Sequence, residues 1–202
     1  MDTEKKGTDE ALWPRIVNGD GEAFGKLFDR HRHRVFGHCL SIVASRQMAQ
    51  DVVAMVFYEA WQRRADVRIV NGCMVPWLLV TANNTVRHHE RLQLRYGTLL
   101  GRLPVPGEGV GSCQDYLQPT EFLGEENALR SAFAKLKPKD RDVLTLCVVE
   151  GLNSRDAAKV LGLTENAVKS SLRRAESRLE NLFSQLRNVH EPVAVPCERN
   201  AA

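Results

Sequence analysis

The sequence contains 202 residues, of which 43% are hydrophobic and 26% are charged, and its formal net charge is +3. This composition is typical of a folded protein and argues against wholesale disorder, and no apolar run approaches the ~18 residues that a membrane span requires. The polar N-terminus argues against a secretory signal, and the five cysteines lack the spacing of a zinc site or a disulfide framework, so we expect a cytoplasmic protein with no metal and no cofactor.

Charge is distributed unevenly along the chain. Residues 1–95 carry a formal charge of +3, residues 96–125 carry −3, and residues 126–187 carry +4. The acidic segment is rich in glycine and proline, which disfavour a long regular element. We therefore predict one domain over 10–95, a flexible linker over 96–125, a second domain over 126–187 and a disordered tail over 188–202.

Apolar residues recur at three-to-four spacing in the first block, which predicts helices. Asp20 and Ser45 stand where N-terminal caps would begin two of them. Pro76 fits the first turn of a third helix, which we expect to end near residue 95. No segment alternates with period two for long enough to indicate a strand, so we predict an all-α protein of two helical domains joined by the linker.

The second block predicts four helices separated by breaking or capping residues. Gly151 ends the second helix and Gly162 ends the third, while Asn153 with Asp156 resembles a capping box at the start of the third. The last helix begins at Thr164 and carries a long apolar seam, which requires a partner to bury it. The seam is formed by Val168, Leu172, Ala175, Leu179, Leu182 and Leu186.

Residues 154–175 have the form helix, short turn with glycine, helix, which is a helix-turn-helix pattern. We therefore predict a winged-helix-like arrangement without strands for the C-terminal domain. In this motif the N-terminal residues of the second helix reach base edges in the major groove, and Asn, Arg and Lys are suited to read bases or hold phosphate. On this pattern alone, an ordinary solvated face on a helical bundle remains an alternative.

Longer stretches resemble a known family. The segment LKPKDRDVLTLCVVEGLNSRDAAKVLGLTENAVKSSLRRA resembles the fourth conserved region of bacterial sigma factors. MAQDVVAMVFYEAWQRR and PWLLVTANNTVRHHER resemble the polymerase-binding helix and the promoter-melting helix of the second conserved region. The two regions come in the family's order with a short linker, a layout that resembles the extracytoplasmic-function (ECF) subgroup of the sigma-70 family.

The resemblance implies a non-enzymatic factor that binds core RNA polymerase, reads −35 duplex DNA and melts the −10 element, with an anti-sigma factor as a further partner. The implied polymerase contacts are Asp51, Val52, Met55 and Phe57. The implied −10 contacts are Arg68, Asn71, Trp77, Asn83, Asn84, Arg87, His88 and Arg91. The implied −35 contacts are Arg141, Arg155, Thr164, Glu165, Asn166, Lys169, Ser170, Arg173 and Arg174.

Some of these residues have a simpler interpretation or depart from the family. Val52, Phe57 and Trp77 fit a hydrophobic core as well as a contact surface. The sequence departs from the family's usual residue at Ala54, Met55, Asn83 and Ser171, and Asn83 stands where Arg is frequent. We expect these departures to weaken or retune binding.

Two other functions compete with this hypothesis. A stand-alone helix-turn-helix regulator leaves the segments VVAMVFYEAW and PWLLVTANN unexplained. An enzyme is disfavoured because the sequence has no glycine-rich phosphate loop, no nucleophile elbow and no carboxylates paired at motif spacing. We also expect the linker to hold the two domains apart, and the free protein to bind DNA poorly because its small net charge attracts phosphates weakly.

Overall fold

The computed structural model describes residues 9–43, 45–100 and 125–190. Helices occupy most of these residues, and within them the only strand-like pairing is a single bridge between Val70 and Cys73. The all-α prediction is therefore confirmed. Residues 101–124 of the predicted linker and residues 191–202 of the predicted tail lie outside the described residues.

Four helices form the N-terminal domain: α1 (Asp9–Val17), α2 (Gly21–Ile42), α3 (Arg46–Gln62) and α4 (Val75–Leu100). The predicted caps are present, since Asp20 accepts a hydrogen bond from the Ala23 amide at 3.0 Å and Ser45 accepts one from the Met48 amide at 3.4 Å. Two boundaries differ from the prediction: α1 precedes the first expected helix, and α4 continues to Leu100.

The N-terminal core lies between the apolar faces of α2, α3 and α4. Leu27, Val56 and Leu78 are fully buried there. The Phe57 ring lies edge-on to the Phe28 ring at 4.7 Å between centroids, a favourable aromatic geometry. This packing fixes which residues of α3 and α4 remain at the surface.

The C-terminal domain contains α5 (Glu125–Lys135), α6 (Pro138–Leu144), a π-helical turn (Thr145–Val149), α7 (Ser154–Leu161) and α8 (Glu165–His190). The π-helical turn continues α6 with a wider winding. Within this turn Thr145 and Leu146 are completely buried, whereas Val148 and Val149 are 61% and 49% exposed. The predicted seam of α8 finds its partner in α5 and α6, against which Ala175 is fully buried. α8 also extends to His190, into the predicted tail.

The two domains pack against each other. α4 contacts α6, the π-helical turn and α7, while α2 contacts α5. Val70, in the loop before α4, shares a hydrophobic cluster with Val143 and Leu146 of the C-terminal domain. The expectation that the linker holds the domains apart is therefore wrong for this structure, because apolar and polar side chains of both domains complement each other across the contact.

Candidate nucleic-acid interface

α7 and α8 form the predicted helix-turn-helix, and local sequence fixes each end of it. Asn153 caps α7 by accepting a hydrogen bond from the Asp156 amide at 2.9 Å. Gly162 ends α7 with φ of +66°, a left-handed conformation that glycine adopts without strain. The Thr164 hydroxyl accepts from the Ala167 amide at 3.3 Å and begins α8. The turn is therefore built from three residues suited to their positions.

The outward face of α8 presents groups that can bind DNA. Lys169 pairs with Glu165 at 2.5 Å, and Arg174 donates to the Ser170 carbonyl oxygen at 3.1 Å. Among the described residues, Arg173 has no hydrogen-bond or ion-pair partner, so its guanidinium is available. All the predicted −35 contacts except Arg141 are exposed: Arg155, Thr164, Glu165, Asn166, Lys169, Ser170, Arg173 and Arg174.

Arg141 differs from the prediction because it is only 5% exposed. Its guanidinium donates to the Ala134 carbonyl oxygen, and its Nε has no hydrogen-bond partner among the described residues. Burial lowers the pKa of this side chain. Arg141 therefore joins α6 to the end of α5 in this structure and cannot reach a phosphate.

A tight turn between α3 and α4 carries one predicted −10 contact. Asn71 and Gly72 have φ of +54° and +72°, as in the type I′ turns that Asn-Gly favours. The flanking residues Val70 and Cys73 exchange two backbone hydrogen bonds of 3.1 Å. The turn faces the C-terminal domain, where the Asn71 side chain donates to Asp156 Oδ2 at 3.4 Å.

The predicted −10 contacts divide into three groups. Arg68, Asn71 and Asn83 meet the C-terminal domain. Trp77 packs against the N-terminal core, as its simpler interpretation predicted. The remaining four lie at the surface of α4, with Arg87 half-buried and the others exposed: Asn84, Arg87, His88 and Arg91. These four residues form a surface of α4 that is accessible to a ligand.

Asn83 is 3% exposed and connects the two domains. Its Oδ1 accepts from His38 Nε2 at 2.9 Å, and its Nδ2 donates to Asp142 Oδ1 at 2.9 Å and to Thr145 Oγ1 at 3.3 Å. Burial lowers the pKa of His38 and raises the pKa of Asp142. Asn83, which was expected to face DNA, is thus buried. The helical repeat shows which residues share a face of α4, but it does not reveal which face a second domain covers.

α3 carries the predicted polymerase contacts. Val52 and Phe57 are only 2% and 3% exposed and belong to the N-terminal core, so the structure favours their simpler interpretation. Asp51 is exposed and Met55 is 48% exposed. Tyr58 was not predicted, although it follows Met55 by one helical turn and is 66% exposed. The outward face of α3 therefore centres on two large apolar side chains.

Comparison with known proteins shows which family this chain resembles. Residues 126–179 match the family model described as Sigma-70, region 4. An ECF RNA polymerase sigma-E factor from Haemophilus influenzae is 28% identical over 89% of this chain and 97% of its own length. The ECF RNA polymerase sigma factor BldN from Streptomyces coelicolor is 27% identical over 85% of this chain, which spans 64% of that relative's length. This chain is therefore similar to ECF sigma factors of the sigma-70 family over most of its length.

Solved structures support the fold of this chain. The sigma factor RpoE from Bartonella quintana, in complex with the anti-sigma factor NepR, has a TM-score of 0.55 at 19% identity, over 80% of this chain and 96% of its own. CnrH, in complex with the cytosolic domain of CnrY, has a TM-score of 0.54 at 23% identity, over 88% of this chain and 97% of its own. The predicted resemblance to ECF sigma factors is confirmed, whereas the roles of individual residues stay predictions.

The protein also contains a buried carboxylate that sequence reasoning missed. Asp9 lies with His31 and Cys73 in a cluster of potential metal ligands whose atoms are within 4.8 Å of one another. Its carboxylate already accepts from Arg30 Nη1 at 2.7 Å, His31 Nε2 at 2.8 Å and the Met74 amide at 2.9 Å. Burial alone would raise the pKa of Asp9, but the hydrogen bonds from His31 and Met74 outweigh it and lower the pKa.

This arrangement fits a hydrogen-bonded hub better than a metal site, because an arginine cation and a backbone amide both point at the carboxylate. Asp9 ties α1 to α2 and to the start of α4. Nothing in the sequence signals the hub, since its members are far apart along the chain. None of the described helices combines the length and apolarity needed to cross a membrane.

Proposed function

We propose that this protein is a sigma factor that binds core RNA polymerase and directs promoter-specific transcription initiation. In this proposal α8 reads −35 duplex DNA and α4 helps to melt the −10 element. The observation that carries the proposal is a helix-turn-helix whose recognition face is exposed and offers an unpaired guanidinium at Arg173. It supports DNA reading because hydrogen-bond donors on the leading turns of such a helix meet base edges and phosphates.

The −10 step rests on the exposed residues of α4. Opening a duplex costs a few kcal/mol for one extruded base, and a protein that uses no ATP can offset this cost only by binding the separated strand. Asn84, Arg87, His88 and Arg91 supply amide, imidazole and guanidinium groups along one surface. Such groups can hydrogen-bond a base and hold the backbone of a single strand.

The polymerase contact is assigned to the outward face of α3. Asp51, Met55 and Tyr58 are exposed there, and Met55 with Tyr58 forms an apolar pair at the surface. Large apolar or aromatic side chains of this kind commonly anchor protein interfaces. One of the solved relatives is a sigma factor in complex with an anti-sigma factor, so we extend the proposal to an anti-sigma partner, and to the cytoplasm as the place where the polymerase acts.

Run-off transcription with core polymerase on a library of genomic fragments tests the proposed function. We expect new transcripts that begin downstream of a shared pair of sequence elements and that depend on this protein. Co-purification with core polymerase separates the proposal from a stand-alone helix-turn-helix regulator, which would bind duplex DNA but not the polymerase. Absence of both the transcripts and the co-purification would contradict the proposal.

Replacing Arg173 with alanine should weaken binding to the −35 element. The unpaired guanidinium of Arg173 is the group most available to a base or phosphate, and loss of one good base contact costs about 1–3 kcal/mol, or about fivefold to 150-fold in affinity. Holoenzyme binding to a promoter recovered in the run-off experiment measures the change. The matched control is Lys135→Ala, which removes an exposed cation of α5 in the same domain; equal losses in both variants would contradict the assignment.

Replacing Met55 and Tyr58 together with serine should weaken binding to core polymerase by about tenfold or more, because two exposed apolar anchors are lost. Fluorescence anisotropy of the labelled sigma factor, titrated with core polymerase, gives the affinity. Gln62→Ala, at the exposed end of the same helix, serves as the control, and unchanged affinity in the double variant would refute this surface.

A further inference from the structure

A cleft between the two domains has no part in the proposed function. Its volume is about 550 Å³, which lies within the range of about 300–1,000 Å³ that small-ligand sites occupy. α2 and α4 line one side of the cleft, and α5, the π-helical turn and α8 line the other. Such sites occur preferentially where domains meet, so the size and the position of the cleft both suit a small molecule.

The walls of the cleft are largely apolar. Leu79 of α4 and Leu144 of α6 line it and are buried. Leu129, Val148 and Val149 also line the cleft, yet these large apolar side chains are exposed. Exposed apolar side chains gathered at one place mark a binding site, because their contact with water is unfavourable. The walls therefore favour a ligand with an apolar portion.

A glycine leaves space on the α2 side of the cleft. Gly37 lines the cleft, and a β-carbon added to it would meet no neighbouring atom within 4 Å. Glycine is less favourable than leucine in the interior of a helix, so helix propensity does not explain its presence here. The space next to Gly37 is available to a ligand, and a larger side chain at this position would take up part of it.

The charged residues of the cleft carry more positive than negative charge. Arg34 and Arg130 contribute guanidinium groups, and His33 contributes an imidazole. Among the described residues that line the cleft, Glu150 alone has a carboxylate, and its Oε1 already pairs with Arg34 Nη2 at 2.5 Å. An anionic head group complements this surplus, because a guanidinium binds a carboxylate through charge-assisted hydrogen bonds.

We propose that the cleft binds an amphipathic carboxylate with a single alkyl chain, of the kind found in a medium-chain fatty acid. The alkyl chain covers the exposed apolar residues, and the carboxylate faces Arg34 and Arg130. A fully polar metabolite would leave the apolar walls uncovered. A cationic amphiphile would cover the walls but would be repelled by the surplus positive charge.

A ligand in the cleft also acts on the domain arrangement. Because both domains line the cleft, the ligand makes its full set of contacts only while the domains are packed, and it therefore stabilises the packed arrangement. The residues that line the cleft include none of the predicted polymerase or DNA contacts. The inference thus goes beyond the proposed function and does not depend on it.

Isothermal titration calorimetry of the full chain with decanoate, below the concentration at which decanoate forms micelles, tests the proposal. Decyltrimethylammonium is the matched probe, since it has the same alkyl chain and a cationic head group. We expect decanoate to saturate a single site and to bind at least about tenfold more tightly than the cationic probe, because only the anion complements the charge of the cleft.

Filling the space next to Gly37 should weaken binding of decanoate. Each buried methylene contributes about fourfold in affinity, so a leucine that displaces two methylenes should weaken binding about tenfold or more in Gly37→Leu. Gly25→Leu is the matched control, because Gly25 is an exposed glycine of α2 that does not line the cleft. It should leave the affinity unchanged, and circular dichroism verifies that both variants keep their helices.

Arg130→Gln should weaken binding of decanoate by about threefold, the size of an exposed charge contact, without weakening binding of the cationic probe. Arg32→Gln is its control, because Arg32 lies outside the cleft and pairs with Asp29 within α2. Failure of decanoate to saturate, as expected if a peptide segment is the true occupant, would overturn the proposal, and so would equal losses in the two glycine variants. Equal affinity for the two probes, or unchanged affinity in Arg130→Gln, would overturn the anionic head group.

Discussion

Replacing Asp9 with alanine should lower the free energy of unfolding of this protein by about 3–5 kcal/mol, the cost of breaking a buried ion pair by removing one partner. Asp9 is 2% exposed, and its loss leaves His31 Nε2 and the Met74 amide without this acceptor and removes one partner of Arg30. Urea denaturation of the purified chain measures the change. Glu10→Ala is the control, because Glu10 is the exposed neighbour on α1, and a similar loss in both variants would contradict the role of the hub.

The same hub gives a pH dependence whose sign follows from its lowered pKa. The native state holds the pKa of Asp9 below its ordinary value of 3.8, so the unfolded state binds protons more readily as the solution is acidified. The stability that Asp9 contributes is therefore fully present above pH 3.8 and is lost as the pH falls through the native pKa. The difference in unfolding free energy between wild type and Asp9→Asn should shrink over that range, and a constant difference would argue against the assignment.

Replacing Asn83 with alanine should destabilise the domain contact, whereas the same change at its neighbour Asn84 should not. Asn83→Ala leaves His38 without its acceptor and Asp142 without its donor in a buried site, which costs about 1–3 kcal/mol. Asn84 is exposed, so Asn84→Ala should change stability by less than about 0.5 kcal/mol. Thermal unfolding followed by circular dichroism compares the two variants.

The two variants should also differ in function. Permanganate footprinting of holoenzyme on a promoter reports melting of the −10 element, and band shifts on duplex DNA report −35 binding. We expect Asn84→Ala to reduce melting more than duplex binding, because Asn84 lies on the surface proposed to hold the single strand. Equal losses in both assays, or a normal footprint, would refute this role for Asn84.

The sequence predicted those structural elements that are determined by interactions between residues close together in the chain. Asp20, Ser45 and Asn153 cap the helices that they were expected to begin, because a cap needs only its own side chain and the next turn of backbone. The helix-turn-helix and its exposed face follow from similar short-range rules. Gly162 could be placed at the turn for the same reason, since a left-handed residue after a helix favours glycine.

The sequence did not predict features that depend on distant partners. Asn83 and Asn84 are neighbours of the same type, and only the packing of a second domain makes one internal and leaves the other at the surface. Arg141 follows the family pattern, yet the end of α5 covers it. The Asp9 hub joins α1, α2 and the start of α4. No pattern of spacing along the sequence indicates that these three segments come into contact.

The contact between the two domains combines polar groups, among them Asn83, Thr145 and Glu150, with apolar groups, among them Val70, Val80 and Phe133. Water can satisfy each of the polar groups once the domains separate, whereas the apolar side chains lose their cover. Separation of the domains therefore costs apolar burial as well as hydrogen bonds.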